Sequence, residues 1–468
     1  MTAELAGFTT ITRSGLELLL SQEGVVNLQN KFHFLANYEY EREPRTATFS
    51  SPFPRFNVDV PSTRTEKKRG LRLDSQFSSQ TRLAVRGNEF KYDEPYSSAG
   101  GAAAHPSNAI SIVRSQYQLL ATLTRVLGNR AVNEVKGGYA GFAWGNFHVV
   151  NWPDNPMKSI GVTPGEPQVL LRGYTIGTSF TAPMTQSQDN YSVRDDFTYS
   201  FTKLGHHDVK LGGEYLYQYH SLFSCRQCMG VIDATNGQIP ANIEDLFPVW
   251  NHVTTWNLAA LSPITRQYTQ GIGNFRYYVP RRIYGSWVQD DWKITPRVTL
   301  NLGLRYDLET NVWANNVSIP PWVDGNRPND TNNIGPRLGF AFSPNDRTVL
   351  RGGFGKYFAQ VIDQVAQQTT AYTQIAAPSV LNDGRSNFAA NPFNGPAPDY
   401  ARVISTSCPV TPGPSCLRLN ISSGTLASND LQTPYSYQTS VGMQRQLAET
   451  MSVEADYVYI GSRAEQFT

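Results

Sequence analysis

The sequence predicts an all-β chain. The expected fold is part of a transmembrane antiparallel β-barrel, about 13 strands in all, with long extracellular loops and short periplasmic turns. Three observations carry this expectation. Side chains alternate between apolar and polar over stretches of about ten residues, the length a spanning strand needs. The links between these stretches alternate between very short and long. Charged residues make up only 17% of the 468 and aromatics 12%, against roughly 25% charged in soluble domains.

The same figures exclude other classes. Lys+Arg 40 against Asp+Glu 38 leaves a formal charge of +2, so no nucleic-acid footprint is expected. Too many large apolar side chains want burial for the chain to be disordered. No run of 18 apolar residues occurs, which removes a transmembrane helix. The mean hydropathy of −0.38 agrees, and it leaves a barrel open because barrel strands show only alternate residues to lipid. The first apolar cluster, Leu16 to Leu20, lacks the basic flank and small-residue cleavage site of a signal peptide. Residues 1–30 are expected to stand apart, as an unassigned segment or a mis-started frame. The barrel is expected over 31–468.

The elements follow in order. Phe32, Phe34, Ala36, Tyr38 and Tyr40 alternate with His33, Asn37 and Glu39. Successive strand side chains point to opposite faces, so this is a strand with one apolar face. Tyr191, Val193, Phe197 and Tyr199 alternate with Arg194, Asp196 and Thr198. Val209, Leu211, Tyr215 and Tyr217 alternate with Lys210, Glu214 and Gln218. The clearest stretch is Val298 to Leu308, where Leu300, Leu302, Leu304 and Tyr306 oppose Asn301, Gly303, Arg305 and Asp307. Tyr435 to Leu447 and Met451 to Tyr459 repeat the pattern.

Short links fall at Ser78-Ser79-Gln80, Gly128-Asn129, Leu204 to His207, Thr295-Pro296, Pro344 to Asp346 and Leu447 to Thr450. Long ones fall near 43–63, 91–110, 145–189, 221–276, 311–333 and 359–433. A half-buried sheet in a soluble sandwich also alternates, but its strands run about 5–6 residues and nothing makes its links alternate in length. About thirteen strands by this pattern is an odd number, whereas single-chain bacterial barrels have an even one. An unpaired edge in lipid is not tolerated, so the sequence reads as truncated at its C-terminus.

Ser286-Trp287-Val288-Gln289-Asp290-Asp291-Trp292-Lys293, running into Leu300-Asn301-Leu302-Gly303-Leu304-Arg305-Tyr306, resembles a hairpin of TonB-dependent outer-membrane receptors. Gly335-Pro336-Arg337-Leu338-Gly339-Phe340 with Leu350-Arg351-Gly352-Gly353-Phe354-Gly355 is similar to the same family. So is Tyr435 to Gln446 with Glu454 to Arg463. The flavour resembles the Oar-like receptors that carry a carboxypeptidase-regulatory-like domain. The resemblance covers roughly 31–468. It implies a plugged 22-stranded barrel in the outer membrane, with lipid around it and the TonB complex acting through a plug. Its cargo would be a large scarce solute: a siderophore, cobalamin, an oligosaccharide or a peptide. No signal peptide, TonB box, plug or regulatory-like domain is identified, and about nine strands of the 22 are missing, so the chain reads as a receptor fragment.

Candidate sites are few. Cys225/Cys228 and Cys408/Cys416 sit in long predicted loops, and local disulfides suit an oxidising compartment. Zinc would need further ligands, with only His220 and His252 nearby, and four cysteines permit three connectivities. Asp195-Asp196 and Asp290-Asp291 suggest acid–base pairs, but neighbours along a strand point apart. Gly352-Gly353-Phe354-Gly355 lies inside a strand, where glycine gives room for a bend or a close neighbour. No HExxH, GxSxG or phosphate loop occurs, so no enzyme activity and no cofactor are expected. Trp287, Trp292, Tyr306, Tyr457 and Tyr459 are candidates for aromatic girdles at the membrane interfaces. Lys210, Glu214, Arg305 and Asp307 are expected to face the lumen and pair across strands. In the family, substrate is gripped by plug apices and extracellular loops. Loops 221–276 and 359–433 are therefore the expected binding region, with Trp250, Asn257, Tyr268 and Tyr277 as contacts among which the sequence does not choose. The alternative role is a surface structural or adhesion protein of the Oar-like kind.

Overall fold

The computed structural model describes residues 2–3, 11–12, 31–97, 101–149, 166–177, 182–408, 417–419 and 426–465. The expectation for residues 1–30 therefore falls almost wholly outside the described residues. Thirteen long strands form one sheet. They are β1 (Phe32–Thr48), β2 (Asp59–Ser78), β3 (Thr81–Ser97), β4 (Ile110–Leu127), β5 (Ala131–His148), β6 (Met184–Thr202) and β7 (His206–Ser224). Then come β8 (Arg276–Thr295), β9 (Val298–Thr310), β10 (Ile334–Asn345), β11 (Thr348–Phe358), β12 (Tyr435–Ala448) and β13 (Met451–Arg463). Each strand pairs antiparallel with its neighbours in chain order. No described helix is long and apolar enough to cross a membrane.

The short links lie at 79–80, 128–130, 203–205, 296–297, 346–347 and 449–450, all at one end of the sheet. Gly128 and Gly205 take positive φ of 69° and 117° there, which glycine adopts without steric cost. All long links lie at the other end.

Several of those links are shorter than the sequence suggests. The loop expected at 43–63 is mostly strand: β1 runs on to Thr48 and β2 begins at Asp59. Beyond the apolar stretch both faces turn polar, so period two loses its contrast while the backbone ladder continues. Ion pairs support the extension, with Arg64 Nε 2.7 Å from Glu43 Oε2. Likewise β3 reaches Ser97, β5 reaches His148 and β6 begins at Met184.

The register carries one face across the whole sheet. Ala36 opposes Leu71, Leu71 opposes Gly87, Gly87 opposes Leu119, and Leu119 opposes Tyr139. Tyr139 opposes Tyr191, and Tyr191 opposes Tyr217. Further on, Tyr284 opposes Leu308, Leu338 opposes Phe354, and Thr439 opposes Tyr459. This face stays apolar yet uncovered, with Val193 57% and Leu304 48% exposed. Water would not tolerate so large a patch. Toward the loop end it finishes in tyrosines: Tyr38, Tyr117, Tyr139, Tyr191, Tyr217, Tyr284 and Tyr306. Toward the turn end lie Phe77, Phe201, Trp292 and Phe342. From Phe201 to Tyr191 a strand tilted about 40° rises about 25 Å.

The opposite face is polar. Lys136 Nζ lies 2.9 Å from Asp196 Oδ2, and Arg194 Nε 2.8 Å from the same oxygen. Arg305 bridges Glu214 and Asp307, and Lys210 Nζ meets Asp291 Oδ2 at 2.7 Å. The adjacent carboxylates part as strand geometry requires. Asp195 accepts from Asn133 on the apolar side, and Asp290 lies 2.7 Å from His207 Nδ1. Trp287 departs from its expected place. It lies on the polar face, sandwiched by the guanidinium groups of Arg194 and Arg305 at 4.5 and 5.3 Å from the ring centroid. The cause is parity: Trp287 and Trp292 are five positions apart, an odd offset, so they cannot share a face.

Candidate functional site

Most of the buried apolar core lies outside the sheet. Val169, Tyr174, Ile176, Ile232, Ile243, Phe247, Trp256, Leu261 and Phe388 are buried together, joined by Phe56 from the first loop. Residues of several loops share this core, so together the loops make a cap at the loop end. Its backbone is a seven-stranded sheet. In it Val231–Ala234 pairs parallel with Gln168–Leu171, while Gln267–Thr269 pairs antiparallel with both Val231–Ala234 and Pro378–Leu381.

The structure thus joins the loops 221–276 and 359–433. Thr269 Oγ1 and Ser379 Oγ share a 2.8 Å hydrogen bond. Asn382 Nδ2 donates to the Ser262 and Thr265 carbonyls at 2.7 Å each. Cys225 and Cys228 form a disulfide with their Cα atoms 5.0 Å apart. Gly271 presses on that turn, and a Cβ there would sit 1.9 Å from the Arg226 carbonyl oxygen. Cys408 is also disulfide-bonded, while Cys416 lies outside the described residues. Among the described residues no His/Cys/Asp/Glu group is arranged to hold a metal.

His105 is buried between Phe56 and Trp256, with ring centroids 4.4 and 6.1 Å away. Its Nδ1 lies 2.7 Å from Ser107 Oγ. Burial pushes its pKa down to about 3, so it is neutral in the folded cap.

From the cap the chain turns onto the polar face of the sheet. Helix Gln364–Tyr372 lies against β7 and β8, with Ala371 packed on Leu222 and Tyr277, and Ala366 on Val279. A buried polar cluster fastens its start. Asp363 lies 3.2 Å from Arg281 Nη1 and 3.3 Å from His220 Nδ1. Gln367 Nε2 is 2.8 Å from that same His220 nitrogen. Arg281 also donates to Gln218 and to the Val361 carbonyl, and Glu309 accepts from the Val361 N–H at 3.2 Å. A buried charge needs both a partner and hydrogen bonds, and this cluster supplies them across β7, β8, β9 and the inturned segment. The sequence placed Gln218 on the polar face but offered no sign of Asp363 as a partner on that face.

The proposed contacts land in different places. Tyr268 is buried in the cap core and Tyr277 beneath the inturned helix. Asn257 accepts from the Ala260 N–H and begins a short helix. Trp250 packs on Tyr96 at 6.4 Å. These four do not converge on one opening. Farther down the polar face a depression of about 340 Å³ opens beside Gly303, Gly339 and Gly353. Arg337 lines it, stacked 4.6 Å from the Tyr357 ring. No carboxylate pairs with Arg337 among the described residues. The glycines open this space by lacking side chains, which is the role of Gly353 in its glycine-rich run.

Comparisons with known proteins agree with the fold. A family model described as "Outer membrane beta barrel domain" matches residues 33–467. Among solved structures, the outer membrane transporter YddB from Escherichia coli superposes with a TM-score of 0.57 at 13% identity, covering 92% of this chain and 44% of that one. The pyoverdine receptor FpvA from Pseudomonas aeruginosa PAO1 has a TM-score of 0.45 at 13% identity, with 95% and 58% covered. The siderophore receptor PirA from Acinetobacter baumannii has 0.46 at 14%, with 86% and 44% covered. The chain thus spans about half the length of these structures. No curated protein sequence matches it. With its apolar face, its polar face and its loop order now placed, the chain belongs to the outer membrane β-barrel domain family and resides in the outer membrane.

Proposed function

We propose that this chain is the barrel of a receptor that takes up a large scarce solute across the outer membrane, energised by the TonB complex through a plug. The observation that carries this is the inturned segment 359–377. An extracellular cap with its own core sends a helix down onto the lumen wall and fastens it there by a buried His220–Asp363–Arg281 cluster. A purely structural surface protein has no use for a lumenal latch. A solute that competes for the cap or for the latch can release the segment into the lumen. Below it the wall is a hydrated ladder of paired charges, and the Arg337 depression offers a cation and hydrogen-bond donors on the way. The tyrosine row and the Phe201/Trp292 level act as interface girdles. The solute is a siderophore, cobalamin, an oligosaccharide or a peptide.

A strain deleted for the gene tests this. Its growth is measured with each of those solute classes as the sole limiting nutrient, with and without a protonophore. Loss of growth on one class, with uptake abolished by the protonophore, supports energised transport. Normal growth on all of them with altered surface attachment sinks it and favours the adhesion role.

A further inference from the structure

Outside the barrel, just above the tyrosine row, the apolar face acquires cations. Arg69 lies over the Tyr38 ring at 5.8 Å, Lys91 over Tyr117 at 5.9 Å, and Arg282 over Tyr217 at 5.7 Å. The tyrosines place this level at the membrane–water boundary on the loop side. Lys67 and Lys91 oppose each other directly across β2 and β3. Like charges opposed in this way destabilise a sheet. Glu89 compensates only part of the local charge: it is 2.9 Å from Lys91 and 3.0 Å from Arg69. Asp93 follows one row nearer the loops, while Lys67 has no ion pair among the described residues. Both Lys67 and Lys91 are exposed.

These lysines stand at one rim of a trough of about 550 Å³ on this outer face. Ala143, Gly145 and Ser187 keep its floor low, and Arg276 stands at the opposite rim. Arg276 Nε is buried without a hydrogen-bond partner. Below the trough the wall is apolar, with Val85 and Leu119 facing outward.

We infer that this trough binds a phosphorylated glycolipid of the extracellular leaflet. One phosphate lies between Lys67 and Lys91, and the headgroup extends from it toward Arg276. The sugar headgroup fills the trough, and the acyl chains run down over Val85 and Leu119. Charge complementarity selects an anion, and the apolar wall beneath selects one that carries acyl chains. A phosphate between the lysines also removes the repulsion that their register creates. This inference concerns the lipid-facing surface and stands apart from the solute pathway.

The test uses the full chain in an uncharged detergent, with native mass spectrometry reading bound lipid. The probes are diphosphoryl lipid A, its dephosphorylated form, phosphatidylglycerol and inorganic phosphate. Diphosphoryl lipid A is expected to stay bound. Lys67→Gln with Lys91→Gln is expected to lower its occupancy about tenfold or more, while the lumenal variant Lys210→Gln leaves it unchanged. Circular dichroism checks that each variant keeps its β signal. Equal retention by the double variant overturns the inference. So does equal binding of the dephosphorylated form or of phosphatidylglycerol, or displacement of the lipid by inorganic phosphate.

Discussion

At the scale of single residues, burial sets the chemistry in the cap. His105 keeps a neutral ring because it is buried, and among the described residues no polar partner meets its Nε2. Its pKa is held at about 3, against about 6.5 in an unfolded loop. Between those values the unfolded cap binds more protons than the folded one, so cap stability falls as pH drops from about 6.5 toward 3 and is level above that window. Amide exchange of residues 166–177 at pH 7 and pH 4.5 checks this, and equal protection at both refutes it. Arg327 is a second case. Among the described residues its buried guanidinium pairs with no carboxylate and donates instead to the carbonyls of Trp313, Ala314, Ala427 and Ser428, at 2.8 to 3.1 Å. Arg327→Met leaves those carbonyls without their donor, each costing about 1–3 kcal/mol where water cannot enter. Loop 311–333 then separates from 426–434, and limited proteolysis within 311–333 should accelerate by an order of magnitude or more.

At the scale of elements, the inturned helix depends on one carboxylate. Asp363→Ala leaves Arg281 and His220 buried without their partner, a change worth about 3–5 kcal/mol. The helix Gln364–Tyr372 is expected to leave the wall, which a spin label at Gln368 would report as faster motion. Unchanged mobility would show that apolar contacts of Ala366 and Ala371 hold it alone. Strands and latch differed greatly in how legible they were. The thirteen strands and all the short turns could be read because each rests on local rules: alternation over about ten residues and a turn residue at a fixed place. Strand ends toward the loops were obscured where both faces become polar, as from Glu41 to Thr48. The latch was illegible because its partners, 218–220, 281, 309 and 363, come from separate elements and no periodicity links them. Trp287 shows a finer limit: its residue type suits a girdle, but parity places it between Arg194 and Arg305.

At the scale of the whole molecule, two kinds of stability coexist. The sheet is held by a continuous backbone ladder and by an apolar face that lipid or detergent covers. The cap is held like a small soluble domain, by a buried core assembled from segments far apart in sequence. The buried cluster at Asp363 and the strand continuations at Ser224 and Arg276 are among the ties that join them. Such an arrangement favours subglobal unfolding, in which the part with its own core opens first. Heating the chain in detergent should therefore give two transitions. The earlier one removes amide protection from 166–177, 231–234 and 378–381 while the far-ultraviolet β signal persists. The later one melts the sheet. Through His105 in the cap core, acidification from pH 7 to 4.5 should lower the earlier transition. Opening the tether by Asp363→Ala should widen the gap between the two. One coincident transition at both pH values would instead mean that cap and sheet fold as a single cooperative unit, and a cap that opens on the wall to admit solute would lose its physical basis.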